Sequence, residues 1–312
     1  MIFLGIDTSN YTTSVALCGA GGVLAQKRRL LPVKPGSLGL RQSDALFAHV
    51  KALPALCREL GPLDGLAAVG VSGFPRRAEG SYMPCFLAGA SLAASLAALY
   101  GVPLYIFSHQ EGHVAAGVFG SGMDPDPAFS AVHLSGGTLE LLSAKTSGGL
   151  YSLEKLGGAG DITCGQLIDR CGVKLGLDFP CGAELEKLAK KSAAEYRINI
   201  PERDGALYLS GLENRFDALR AAGKSPGDLA GFVFACVVAA AKTLTENVKG
   251  QLLFSGGVSS SSILKAAFAD RPETYFSPPE YSCDNAAGIA LMARASYLAG
   301  KPGDSTERLR ME

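Results

Sequence analysis

The chain has 312 residues, 47% hydrophobic and 19% charged, so it can bury two sizeable cores and does not have the composition of a disordered polymer. Lys+Arg equals Asp+Glu at 29 each, so no net field draws it to nucleic acid or to an anionic membrane, and any such contact must be local. The eight cysteines form no Cys-x-x-Cys pair, which excludes a site of that spacing and reads as reduced thiols in a cytoplasmic protein.

Met1 leads straight into an apolar run at 2–6, read as a buried strand with no basic stretch before it, so no signal peptide is expected. Asp7-Thr8-Ser9-Asn10 has turn chemistry, and strands at 14–17 and 23–29 complete an antiparallel meander. The spacing of Leu46, Phe47, Val50, Leu53 and Leu56 predicts a helix over 43–60. A strand at 66–71, a helix at 83–100, a strand at 104–107 and a helix at 109–118 follow. The apolar stretch within 87–99 holds Ser and Gly and stops at Gly101-Val102-Pro103, too short for a membrane span.

Residues 120–127, rich in Gly, Asp and Pro, are the linker candidate. They separate lobe I (1–124 plus 280–312) from lobe II (125–279). A second meander at 129–134, 139–145 and 151–156 opens lobe II. Helices at 166–175, 184–191 and 226–248, a strand at 252–254 and helices at 260–268 and 285–298 complete the reading. The tail from Lys301 is polar and reads as loose.

Two segments repeat one design. His133-Leu134-Ser135-Gly136-Gly137 and Leu253-Phe254-Ser255-Gly256-Gly257 both run an apolar strand into Ser-Gly-Gly. Glycines at such a turn let backbone N–H groups approach an anion without a Cβ in the way. Two ordinary tight turns are the plain alternative.

His109-Gln110-Glu111-Gly112-His113 is the sharpest local feature, because i and i+4 share one helix face and both imidazoles can reach one ion. A zinc-peptidase helix carries its general base directly after the first His; here Glu111 lies about 200° round the helix from His109, and peptidase chemistry loses its base. Two histidines do not close a site. Asp284, just before the last helix, is a further ligand candidate, though an N-capping role suits it equally well. His133, on an otherwise apolar strand, is another. Three histidines and a carboxylate suit Fe, Zn or Mn.

Gly5-Ile6-Asp7-Thr8-Ser9, His109-Gln110-Glu111-Gly112-His113, Ser135-Gly136-Gly137, Ser255-Gly256-Gly257-Val258 and Cys283-Asp284-Asn285-Ala286-Ala287 occur in this order. The pattern resembles the TsaD family, tRNA adenosine threonylcarbamoyltransferases once taken for O-sialoglycoprotein endopeptidases, over nearly the whole chain. The resemblance implies an α/β fold of the actin/Hsp70/sugar-kinase type: two ribonuclease-H-like lobes with a nucleotide and metal cleft between them. It implies one divalent metal on His109, His113 and Asp284, with His133 where part of the family places a Tyr ligand. Ser135, Gly136, Gly137, Thr138 and Leu139 would line the site for ATP or an acyl-adenylate, with Gly256, Gly257 and Ser261. Asp169 would hold the ribose, Gly182 would lie beside the nucleoside and Glu186 would face the same site. Asp7, Ser9 and Asn10 would be first-loop contacts. No covalent nucleophile is expected.

The chain departs from the family at several polar positions, as a divergent paralogue would. The usual first loop Glu-Thr-Ser-Cys-Asp-Glu-Thr is Asp7-Thr8-Ser9-Asn10-Tyr11-Thr12-Thr13. The second Asp of an Asp-Asp-Ala-Ala-Gly segment is Ile162. The His or Asn after the middle Ser-Gly-Gly is Thr138, the Asn after the last Ser-Gly-Gly-Val is Ser261, and a Gly-Pro-Gly stretch is Phe74-Pro75-Arg76-Arg77. The expected reaction is transfer of a threonylcarbamoyl group from threonylcarbamoyl-adenylate to N6 of adenosine 37 in tRNA, so the expected partners are tRNA and the enzyme that makes the adenylate, with a homologous subunit or a homodimer. A non-tRNA acceptor and a non-catalytic nucleotide-binding scaffold are the rival readings. The basic pairs Arg28-Arg29, Arg76-Arg77 and Lys190-Lys191 are candidate RNA contacts or plain solvated surface.

Overall fold

The computed structural model describes residues 1–9, 11–32 and 40–306. The chain divides into two compact units, Met1–Gly122 with Thr146–Ser152 and Asp284–Glu312, and Met123–Lys145 with Leu153–Cys283. The divisions fall at Gly122/Met123 and Cys283/Asp284, where the sequence reading places 124/125 and 279/280.

In the first unit, β1 (Ile2–Asp7), β2 (Thr12–Gly19) and β3 (Gly22–Leu30) form the antiparallel meander, followed by α1 (Gln42–Leu60), β4 (Leu66–Phe74), α2 (Phe86–Tyr100), β5 (Leu104–Ser108) and α3 (His109–Ser121). The sheet order is β3-β2-β1-β4-β5, with β4 parallel to both β1 and β5. Parallel central strands are covered on both faces, which is why β1, β4 and β5 read as unbroken apolar runs. The two faces are built differently. Leu4, Ile6, Val69, Val71, Leu104 and Ile106 point into a core shared with Leu53 and Leu56 of α1 and with Ala88, Ala93 and Ala97 of α2. The alternate positions Gly5 and Gly70 lie against the last helix of the chain, where a Cβ on Gly5 would stand 2.4 Å from the Ala286 carbonyl oxygen.

The second unit begins with the meander β6 (Ala128–Leu134), β7 (Leu139–Ser147) and β8 (Leu150–Ala159), whose hairpin tip clusters with the first unit. Then come α4 (Cys164–Lys174), α5 (Gly182–Ala189), β9 (Glu202–Arg203), β10 (Ala206–Leu207), α6 (Ser210–Ala221), α7 (Pro226–Thr245), β11 (Leu252–Ser255), α8 (Ser262–Ala267), β12 (Thr274–Phe276) and α9 (Pro279–Ser282). Finally α10 (Ala287–Leu298) packs in the first unit on β1, β4 and α3. The second sheet runs β12-β11-β6-β7-β8-β10-β9, so its β8-β7-β6-β11-β12 portion repeats the order of the first. α7 is long and apolar enough to cross a membrane, but Phe232, Val233, Phe234, Cys236 and Val237 are buried in the core, as in an internal helix.

Three differences from the sequence reading have local causes. The helix expected over 109–118 runs on to Ser121 and ends at Gly122 in the left-handed region, φ 68°, so the chain leaves the helix three residues later than its apolar pattern suggests. The helix expected over 260–268 is a 3-10 turn (Gly257–Ser260) followed by α8, with Ser261 capping between them. The sequence reading has no helix at α6, although Leu212 and Phe216, buried and four apart, carry a helical period.

Candidate metal centre

Ser108 ends β5 and starts α3. Its hydroxyl accepts from Glu111 N (3.2 Å), while Glu111 Oε2 accepts from Ser108 N and from Ser108 Oγ, each at 2.7 Å. This is the reciprocal capping box that Ser-x-x-Glu encodes. The other carboxylate oxygen, Oε1, takes a hydrogen bond from Arg77 Nε at 2.9 Å. Glu111 is thus a structural cap, as its position round the helix implies, and Arg77 of the basic pair is its partner.

The cap starts the helix at His109 and stacks His113 one turn above it. Asp284, at the junction before α10, joins them. His109 Nε2 and His113 Nε2 stand 2.9 Å apart, His113 Nε2 and Asp284 Oδ1 3.2 Å, and His109 Nε2 and Asp284 Oδ1 3.6 Å. Ligand atoms about 2.1 Å from one ion, at angles of about 90–110°, stand about 3.0–3.4 Å from each other. The triangle's sides of 2.9, 3.2 and 3.6 Å lie within about 0.2 Å of that range, and two imidazole nitrogens held 2.9 Å apart need a proton or a cation between them. The donor set fits a divalent transition metal, with His109, His113 and Asp284 as ligands. The alternative, Asp284 as N-cap, is not what the chain does: Asn285 Oδ1 accepts from Ala287 N (3.0 Å) at the start of α10.

Asp7 completes the group, although it lies 102 residues from His109 in sequence. Its Oδ2 is 2.7 Å from His109 Nδ1 and its Oδ1 accepts from Ser9 N at 2.8 Å. The residue is fully buried. Burial opposes a charge on His109, but the Asp7 carboxylate against Nδ1 outweighs it, with help from Asp284, and the imidazole is pushed up to about 9. Burial would likewise raise Asp7, and the charge and hydrogen bond of His109 bring it below the usual carboxylate range. His113 is lowered by burial and by its charged neighbour. One proton therefore sits on the metal-free group near neutral pH, and a cation would replace it. The Ser9 side chain is buried beside that carboxylate. Asn10 falls outside the described residues.

His133 belongs to the second unit, on β6, buried, opposite Glu140 of β7 and beside Ser255 of β11. It is not among the side chains whose ligand atoms gather. The parallel pairing of β6 and β11 sets the two Ser-Gly-Gly turns side by side at the C-terminal ends of neighbouring strands, where α/β sheets hold ligands. Ser135 N donates to the Thr138 carbonyl (2.9 Å) and Thr138 N to Ser135 Oγ (3.1 Å), closing the first turn, and Gly136 and Gly137 are exposed on it. The turn rests on the start of α4: Thr163 Oγ1 donates to the Gly136 carbonyl at 2.8 Å, and a Cβ on Gly165 would stand 2.4 Å from the Gly136 Cα. Leu139 is buried at the start of β7. Gly256 adopts φ 92° and a Cβ there would meet the Leu134 carbonyl oxygen at 2.2 Å, so only glycine fits; beside Gly257 there is open space.

The remaining sequence candidates have structural partners of their own. Asp169 Oδ1 accepts from Cys181 N (2.9 Å), tying α4 to the start of α5 next to Gly182. Glu186 Oε1 accepts from Ser261 Oγ (3.0 Å), Ser262 Oγ (2.8 Å) and Ile263 N (3.1 Å), so Glu186 and Ser261 meet at the N-terminus of α8. Sequence reasoning missed Asp7 as the partner of His109 and Thr163 as the brace of the first glycine turn. Thr163 had a local signal, since Thr163-Cys164-Gly165-Gln166 is a capping box and forms one. Asp7 had none.

Residues 80–291 match the TsaD family, described as tRNA N6-adenosine threonylcarbamoyltransferase. A tRNA N6-adenosine threonylcarbamoyltransferase of Carboxydothermus hydrogenoformans is 29% identical, with 96% of this chain and 93% of the relative covered. Among solved structures, the activator of the 2-hydroxyisocaproyl-CoA dehydratase from Clostridium difficile superposes with TM-score 0.57 at 16% identity, covering 98% of this chain and 99% of its own. A ROK family glucokinase from Streptomyces griseus gives 0.52 at 14%, covering 94% and 99%. HypF from T. kodakarensis gives 0.60 at 15%, covering 96% of this chain and 48% of its own. At such identities the likeness speaks for the fold alone, the actin/Hsp70/sugar-kinase type that the repeated strand order already indicates. With its motifs in family order and more than half its length matched, the chain belongs to the TsaD family of transferases.

Proposed function

We propose that the protein transfers a threonylcarbamoyl group from threonylcarbamoyl-adenylate to N6 of adenosine 37 in tRNAs that read codons beginning with A. The observation that carries the proposal is the triangle of His109, His113 and Asp284 in a member of this family. In the reaction the adenine amine attacks the carbamoyl carbon and gives up a proton to solvent, the bond to the phosphate oxygen breaks, and AMP leaves with that bond's electron pair. A divalent ion held by His109, His113 and Asp284 would polarise the carbamoyl carbonyl or hold the phosphate. The turn that Ser135 and Thr138 close, just before Leu139, presents the exposed Gly136 and Gly137 N–H groups to the adenylate and to the charge that develops on it. Thr163 holds that turn in place through the Gly136 carbonyl. Asp169 and Gly182 take the ribose and nucleoside, and the Gly256-Gly257 turn takes the opposite side. Glu186 and Ser261 act through each other as the wall formed by α5 and α8.

The adenylate comes from a separate synthesising enzyme, and a homologous subunit or a second copy completes the assembly. A cytoplasmic setting belongs to the same reading and is supported by eight free cysteines. The test is nucleoside mass spectrometry of tRNA incubated with purified protein and threonylcarbamoyl-adenylate. Modified adenosine that disappears in the paired His109→Ala and His113→Ala variant is the expected result. No modified adenosine with any combination of partners would sink the proposal. Carbamoyl transfer to another acceptor would keep the site and replace the substrate. Elemental analysis of the same preparation identifies the metal.

A further inference from the structure

The side chain that governs His109 comes from the first loop, which the sequence presents as a substrate contact. Asp7 is the last residue of β1, in register with Ser14 of β2, so its backbone is part of the sheet. Its side chain is equally restrained. Oδ1 is held by Ser9 N at 2.8 Å, Oδ2 lies 2.7 Å from His109 Nδ1, and nothing of the residue reaches solvent. A carboxylate fixed at both oxygens and turned inward has no face left for a substrate. It has a definite effect on the imidazole. Once the extra proton is displaced, an Nδ1–H that donates to a carboxylate leaves the lone pair on Nε2, and Nε2 is the atom that faces His113 Nε2 at 2.9 Å and Asp284 Oδ1 at 3.6 Å.

We propose that Asp7 is the positioning residue of the metal centre: it holds His109 in the Nδ1–H form, with Nε2 turned to the ion, and makes that nitrogen a stronger donor. The assignment rests on the reading of His109, His113 and Asp284 as metal ligands and adds a fourth member that never touches the ion. It also accounts for a carboxylate at the end of a buried apolar strand, where solvent offers it no compensation. Charge-assisted pairing with a histidine is what stabilises it there.

The experiment uses the full chain, stripped of metal and titrated with Zn²⁺ against a chelator. Asp7→Asn keeps the shape and removes the charge, and it is expected to weaken Zn²⁺ binding about 10- to 100-fold. Cobalt substitution supplies a readout that mere loosening of the fold would not move: the visible bands of the Co²⁺-loaded variant shift, because the donor strength of His109 changes. If Asp7→Asn does not fold, nitrogen-15 spectra of the Zn²⁺-loaded wild type decide the matter. A proton on His109 Nδ1 with the metal on Nε2 supports the assignment. The metal on Nδ1 overturns it, as does an Asp7→Asn variant with unchanged affinity and unchanged Co²⁺ bands. Wild-type protein that takes up no metal overturns the ligand reading and the Asp7 assignment together; a wild type that binds beside an equally good variant removes only Asp7.

Discussion

Replacing Gly288 by alanine tests whether the metal centre depends on backbone-to-backbone packing of two helices. Gly288 is in the first turn of α10, four residues after Asp284, and it faces α3 at the level of Gly112. A Cβ at Gly288 would stand 2.0 Å from the Gly112 carbonyl oxygen and 2.8 Å from Ala116 N, both backbone atoms that no rotamer can move aside. Restoring a contact of about 3 Å requires α3 and α10 to part by about 1 Å, whereas metal–ligand distances tolerate about 0.2 Å. The His113–Asp284 and His109–Asp284 separations, 3.2 and 3.6 Å, span those two elements and would open with them. Overpacking of this kind costs about 3 kcal/mol, at the upper end of its usual range. In a unit of this size that lowers the unfolding midpoint by about 6–12 °C. Metal affinity should fall by at least the ~100-fold that outer-layer substitutions reach, since here a ligand itself is displaced. Thermal unfolding with and without Zn²⁺, together with chelator competition, measures both quantities. Gly211→Ala in α6, where the Cβ meets open space, is the control and should leave both unchanged or raise the midpoint slightly. A Gly288→Ala protein with wild-type midpoint and wild-type Zn²⁺ affinity would refute the reasoning.

Two further outcomes follow from the same geometry. The metal-free protein should lose stability as pH rises from 6.5 through about 9, because His109 is raised from 6.5 to about 9 and its folded-state proton is retained only below that value. The loss is about 3 kcal/mol at most and should vanish in the Zn²⁺-loaded protein, where the proton is already displaced; denaturant melts at a series of pH values with and without metal check the sign. Gly165→Ala would place a Cβ 2.4 Å from the Gly136 Cα and push the first Ser-Gly-Gly turn off α4. Calorimetry should then show weakened binding of a non-hydrolysable adenylate with Zn²⁺ affinity intact, because the turn and the metal triangle belong to different units. Loss of both together would contradict that separation.

Much of the centre was legible because it is local. His109 and His113 are one turn apart on one helix, and Ser108 and Glu111 spell out where that helix starts. The apolar runs of β1, β4 and β5 announced strands covered on both faces. The two Ser-Gly-Gly turns were visible as a repeat, although only the pairing of β6 with β11 makes them neighbours. Short elements such as β9, β10 and β12 carried no legible period, because two- and three-residue strands exist only by virtue of the sheet edge they extend.

What the sequence by itself determined is the set of local geometries: helix starts, turn conformations, and the faces on which polar residues would stand. Tertiary structure decided the partners. Asp284 is 171 residues from His113 and by local sequence suits an N-cap equally well; the fold gives the Ala287 N–H at the start of α10 to Asn285 instead. Asp7 was a turn residue until the sheet carried it to His109. The physical reason is that a charged side chain far along the chain carries no periodic signal for its partner. That partner is set by how closely helices and strands approach, and here the approach is governed by glycines, Gly5 against Ala286 and Gly112 against Gly288, whose missing side chains let α10 bring Asp284 to the two histidines.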